Sequence, residues 1–91
     1  DIRYFQADQK YVTVRHSEGE LLIDETLRDL EDEFGEQFLR VHRNCIVAPR
    51  FVDGLDRDDD GRFHVRFKGI DDTAAVSRRF VSRVRKFVKA L

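Results

Sequence analysis

A single cysteine, Cys45, leaves the 91-residue chain unable to close a disulfide within itself. A lone thiol fits a reducing setting, so a cytoplasmic location is expected. No stretch approaches the roughly 18 apolar residues of a membrane span, and no signal-peptide core opens the chain, so no membrane partner is expected. Repeats, low-complexity segments and linkers are missing too. The length suits one domain with a modest core and is too short for two. Because the chain starts directly in a strand-like pattern without an initiator Met, residues 1–91 are expected to be one domain of a longer protein.

Catalytic equipment is equally sparse. Neither a G-x-S-x-G elbow nor a phosphate-cradling glycine loop is present, and the three histidines have no zinc spacing with Cys45. No cofactor, no metal and no enzymatic activity are therefore expected. Cys45 and His42 are the only thiol–imidazole candidates. They stand three apart in a strand-turn-strand pattern, where a period of two turns them to opposite faces. Cys45 reads as a small core hydrophobe, and His42 as a hydrogen-bonding turn or core histidine. Asp56, Asp58, Asp60 and Gly61 match the first half of a calcium loop, but its twelfth position is Phe67 where a bidentate Glu is needed. Phe63, Val65 and Phe67 alternate with His64, Arg66 and Lys68, which is strand periodicity, so the segment reads as an acidic hairpin turn.

Charge is plentiful, at 38% of residues, yet the net value is only −1. Its distribution says more than its sum. Residues 24–36 carry Asp24, Glu25, Asp29, Glu31, Asp32, Glu33 and Glu36 against Arg28 alone, and residues 53–60 carry Asp53, Asp56, Asp58, Asp59 and Asp60 against Arg57 alone. Residues 77–91 hold Arg78, Arg79, Arg83, Arg85, Lys86 and Lys89 with no acid. Residues 38–50 also lack Asp and Glu, while carrying Arg40, Arg43 and Arg50. Such segregation makes a dipolar molecule with one face attractive to phosphate.

Residues 2–7 and 11–16 read as strands separated by Asp8-Gln9-Lys10, and 17–20 as a turn before a third short strand at 21–23. Together they form an antiparallel meander. Asp24 or Thr26 can cap a helix on which Leu27, Leu30 and Phe34 recur, and Gly35 sits where that helix ends. Strands at 39–41 and 45–47 flank His42-Arg43-Asn44, with Asn44 able to supply the positive φ of a hairpin turn. Pro49 stops regular pairing, and 51–55, 63–67 and 73–76 resume it. Ser77 caps a closing helix with Phe80, Val84, Phe87, Val88 and Leu91 on one stripe.

Three polar-basic places then stand out: Gln9-Lys10-Tyr11, His42-Arg43-Asn44 and Ser77-Arg78-Arg79. All lie at element ends, where side chains project beyond a rigid scaffold. Guanidinium groups suit guanine edges and phosphate, and Asn suits adenine. Physics alone would send the basic C-terminal helix into a groove. Two rivals remain, a protein-interaction module whose basic face docks an acidic protein and, more distantly, a thiol enzyme using Cys45 and His42.

The wording of particular runs changes that choice. Residues 4–12 (Tyr-Phe-Gln-Ala-Asp-Gln-Lys-Tyr-Val), Leu27-Arg28-Asp29-Leu30-Glu31, the run from Phe38 to Asn44 with Val47, and Val76-Ser77-Arg78-Arg79 resemble the LytTR DNA-binding domain, the output module of a class of bacterial response regulators. The resemblance covers nearly the whole chain. It implies an α+β fold, mainly β with short helices: an elongated antiparallel arrangement with one central and one C-terminal helix. It also implies that loops, and not a helix, read double-stranded DNA in successive grooves. By motif, Lys10 and Tyr11 fall in the first loop, His42, Arg43 and Asn44 in the central one, and Arg78 and Arg79 in the third. Arg83, Arg85 and Lys86 are then phosphate contacts at most, on a helix that braces. The implied partner is a promoter operator with repeated half-sites. The implied parent protein dimerises through an N-terminal receiver domain, while the domain alone is monomeric. Relatives often carry Asn where this chain has Ala48 before Pro49, which puts a backbone contact from position 48 in doubt.

Overall fold

Arg3, Tyr4 and Phe5 are consecutive and all buried, which in a strand demands cover on both faces. The computed structural model, which describes residues 2–90, supplies that cover. Strands β1 (Ile2–Ala7), β2 (Val12–His16), β3 (Gly19–Ile23), β4 (Leu39–His42) and β5 (Cys45–Val47) form one antiparallel sheet in the order β3-β2-β1-β5-β4. Strands β6 (Val52–Arg57), β7 (Phe63–Phe67) and β8 (Thr73–Val76) form a second in chain order. Helix α1 (Leu27–Phe34) lies between β3 and β4, and α2 (Arg78–Lys89) follows β8. The longest axis is 33 Å against 26 Å for the other two.

On one face of the large sheet, Phe5, Val12, Val14 and Ile46 pack with Leu27 and Leu30 of α1. Phe5 also meets Phe38, with ring centroids 5.0 Å apart, and Phe38 meets Phe34 at 5.4 Å. On the other face Tyr4, Val41, Cys45 and Val47 pack with Val52, Val65 and Phe67 of the small sheet and with Phe80 and Val84 of α2. Cys45-Ile46-Val47 is therefore fully buried, the unbroken apolar run expected of a strand covered on both sides.

Local signals explain the helices. Thr26 Oγ1 accepts from the Asp29 N–H at 3.1 Å, and the Asp29 carboxylate accepts from the Thr26 N–H at 3.4 Å. Thr26, not Asp24, is thus the cap, in a reciprocal capping box with Asp in place of Glu. Gly35, at φ 55°, ends α1 and donates its N–H to the Glu31 carbonyl. Ser77 precedes α2, but its hydroxyl makes no cap bond; its N–H goes instead to the Val41 carbonyl at 2.9 Å. Phe80 and Val84 of the expected stripe are buried, with Phe87 and Val88 against the same core; Leu91 lies outside the described residues.

Some boundaries differ from the sequence expectation. Tyr11 belongs to the β1–β2 connection, and β3 begins at Gly19, which pairs with His16 across a tight turn. Among the described residues no non-glycine residue has positive φ, so Asn44 does not supply one. The β4–β5 hairpin is irregular between Arg40 and His42, and such a bulge adds the local twist that a primed turn would otherwise provide.

Two polar anchors join the sheets. Arg3 lies over the Phe51 ring at 3.8 Å and its Nε donates to the Lys68 carbonyl at 3.1 Å. Asp72, in the turn before β8, accepts from Arg15 Nε at 2.9 Å and from the Tyr4 hydroxyl at 2.8 Å. The Arg15 bond, then the Tyr4 bond, holds the Asp72 carboxyl below the usual carboxylate range. Burial first, then Asp72, raises the Tyr4 hydroxyl.

Candidate nucleic-acid interface

Backbone hydrogen bonds set the three polar-basic places beside one another. In the first, Asp8 Oδ1 accepts from the N–H groups of Lys10 and Tyr11 at 3.0 and 3.1 Å, fixing the turn that projects both side chains. Those two bonds hold the Asp8 carboxyl low. Tyr11 is 48% exposed, leaving its ring and hydroxyl open to a partner. The Ala7 N–H donates to the Asn44 carbonyl at 2.8 Å, which docks the central loop beside the first. The Ser77 bond to Val41 docks the third beside β4.

Two grooves lie between these loops. One of about 350 Å³ is lined by Lys10 and Tyr11 of the first loop, by Arg40 and Arg43, and by Asp24, Glu25 and Arg28 around the start of α1. The second, of about 600 Å³, is lined by His42, Ser77 and Arg78 and by Arg62 and His64 of the acidic hairpin. Sequence reasoning missed that hairpin as a wall of the site, because only the packing of the small sheet brings it there. Its Asp58 carboxylate is taken up locally, accepting from the N–H groups of Asp60 and Arg62 at 2.9 Å and facing His64 Nε2 at 3.0 Å. Asp58 is held low, mainly by the Arg62 N–H and by His64. The segment is a β6–β7 hairpin with Gly61 at φ 81°.

The arginines of 38–50 separate into different jobs. Arg43 is exposed in the central loop and makes no ion pair with a described residue. Arg50 stacks on Phe51 at 4.8 Å and lines a different pocket, with Pro49. Arg40 is held by Glu31 of α1: Nε donates to one carboxylate oxygen at 3.2 Å and Nη2 pairs with the other. Arg79 and Arg83, both exposed, flank the Phe80 ring at 4.8 and 5.3 Å. The Ala48 N–H is committed to the Arg3 carbonyl at 2.8 Å and Ala48 is buried, so position 48 offers no backbone contact outward.

His42 and Cys45 do not lie on opposite faces: they end and begin different strands, the turn at Arg43-Asn44 reverses the chain between them, and His42 pairs directly across from Cys45. They still form no nucleophile–base pair. Cys45 is 2% exposed, and burial pushes its thiol up to about 12. His42 Nδ1 accepts from the Asn44 N–H at 3.3 Å, which orients the ring toward its own turn.

Comparison with known proteins shows the family. The chain is 49% identical over 92 residues to the positive alginate biosynthesis regulatory protein of Pseudomonas aeruginosa, covering 100% of this chain and 37% of that protein. It is 34% identical over 83 residues to the CO-responsive transcriptional regulator RcoM of Rhodospirillum rubrum, covering 90% of this chain and 35% of that one. It thus spans about a third of the length of these relatives. Its fold matches a LytTr DNA-binding domain of a methyl-accepting/DNA response regulator from Bacillus cereus, with TM-score 0.79 at 23% identity, covering 94% of this chain and 79% of the other. The family model of the LytTr DNA-binding domain matches residues 1–89. With three loops, two basic-walled grooves and this match across nearly its whole length, the chain belongs to the LytTR DNA-binding domain family.

Proposed function

We propose that this domain reads double-stranded DNA through its three loops, as the output domain of a two-component transcription regulator and without catalysis. Lys10 and Tyr11 serve the first groove, His42, Arg43 and Asn44 the central one, and Arg78 and Arg79 the third, with Arg83 on phosphate. The observation that carries this reading is the side-by-side docking of the loops with Lys10, Arg43, Arg78 and Arg79 in no ion pair with any described residue. Cations that no internal carboxylate neutralises, at the tips of a rigid scaffold, are available to phosphates and base edges.

The relatives' names support a regulatory role: one is named for positive regulation of alginate biosynthesis, the other for its response to CO. An N-terminal receiver domain that dimerises the parent protein, repeated half-sites in the promoter, a monomeric isolated domain and a cytoplasmic location complete the proposal. Among the described residues no helix is long and apolar enough to cross a membrane. Footprinting of the domain on promoter fragments is the test. Protection of successive grooves along one side of the duplex is expected. No protection at low salt, together with retained binding to an acidic protein, would hand the basic surface to protein recognition instead.

A further inference from the structure

The central loop has no sheet to hold its tip, yet two of its carbonyls are held from below. Arg40 Nη1 donates to the carbonyls of both His42, at 3.5 Å, and Arg43, while Nε and Nη2 grip Glu31. The guanidinium is thus a four-contact bracket between α1 and the turn, with its side chain only 19% exposed. Arg is the side chain suited to this, because its planar fork serves a carboxylate and still has donors to spare.

We infer that Arg40, anchored by Glu31, is a positioning residue that pre-sets the 42–44 loop for DNA, and does not itself contact DNA. This rests on the proposed reading of that loop as a DNA contact. The bracket turns the His42 and Arg43 carbonyls toward the protein, so their partial negative charge is directed away from an approaching polyanion. It also fixes the backbone from which the exposed Arg43 side chain projects, so less ordering remains to be done on binding. The loop's other ties are the Ala7 N–H to the Asn44 carbonyl and the Asn44 N–H to His42 Nδ1, and neither holds the Arg43 carbonyl.

The test compares Arg40→Ala, Arg40→Lys and Glu31→Gln with Arg43→Ala and the Arg40→Ala/Arg43→Ala double variant. Affinity for a footprinted operator and for scrambled duplex is measured for each, with melting temperature and, without DNA, amide exchange at residues 42–45. Arg40→Ala should reduce the operator-to-scrambled ratio roughly tenfold and speed exchange at Asn44. Arg40→Lys should keep the pairing with Glu31 and most of the melting temperature, but not the ratio, since an ammonium cannot serve both partners in this geometry. In the Arg43→Ala background, Arg40→Ala should lower the ratio no further. An unchanged ratio in Arg40→Ala, with Arg43→Ala lowering it, would overturn positioning while sparing the loop as a reader. Additive losses would overturn it too, by making Arg40 a direct contact. If Arg43→Ala leaves the ratio intact, the loop is not a reader and both ideas fall together.

Discussion

Arg79 and Arg85 share a helix and a charge but not a neighbourhood. Arg79 sits at the start of α2 beside the third loop, its guanidinium 4.8 Å from the Phe80 ring. Arg85 lies further along, 5.5 Å from Phe63 of the small sheet. Reading by loops predicts that Arg79→Ala costs about 1–3 kcal/mol of discrimination between operator and scrambled DNA, the worth of a lost bidentate base contact. Arg85→Ala and Lys89→Ala should weaken both duplexes about equally and lower the salt slope by about one unit at most. Titrations of each variant at two salt concentrations separate these effects. Loss of discrimination in Arg85→Ala with none in Arg79→Ala would make α2 the reader.

At the scale of elements, the two sheets are clipped together by one carboxylate. Asp72 binds Arg15 and Tyr4 across the seam, and its side chain is 34% exposed. A carboxyl held below its unfolded range stabilises the fold at pH values above that range and loses the effect as pH falls through its folded pKa. Asp72→Asn should therefore cost about 0.5–1 kcal/mol at pH 7, the scale of a solvent-screened pair. Denaturant melts at pH 7 and at about pH 3 should show the gap closing in acid; a constant gap would assign the loss to packing.

Elements like α1 were legible because their determinants are local. Thr26, Leu27, Leu30, Phe34 and Gly35 fall within ten residues and state start, stripe and stop. The strands were legible by alternation or by apolar runs. Which strands pair was not, since β5 joins β1 through backbone groups that every residue carries. The same limit hid Arg40: in the sequence it is one of three cations in an acid-free stretch, and only α1 folding back brings Glu31 to it. The relation of His42 to Cys45 was misjudged because a period of two holds along one strand, whereas the chain reverses at residues 43–44 and makes the two cross-strand partners. The three candidate places were legible as polar-basic residues at element ends, the family resemblance favoured loops over α2 as readers, and what drew them together became visible only in the docking bonds of Ala7 and Ser77.

Across the whole molecule, charge follows the layers. Acid-rich α1 covers one face of the large sheet and basic α2 lies on the other side. Asp53 and Asp56 of β6 pair with Arg66 of β7 at 3.2 and 2.6 Å. The molecule thus meets a polyanion with a preferred side despite its net charge of −1. If about four to seven cations engage phosphates, log K should fall against log salt with a slope of roughly −4 to −6. A slope near zero in anisotropy titrations would remove the nucleic-acid reading.

The position of β1 carries a consequence for how the chain assembles. One edge of β1 pairs with β2, its neighbour in sequence, while the other pairs with β5, roughly forty residues later. The hairpin side can close within microseconds, but the far edge must wait for a long loop to shut, against a larger entropy cost. During synthesis β1, β2 and β3 emerge first and stand with the β1 edge unpaired until Cys45–Val47 arrives. An open edge is where another chain can add a strand. The nascent domain is therefore most exposed to misassembly in the interval before β5 docks, and the speed with which α1 folds and shortens that loop sets how long the interval lasts.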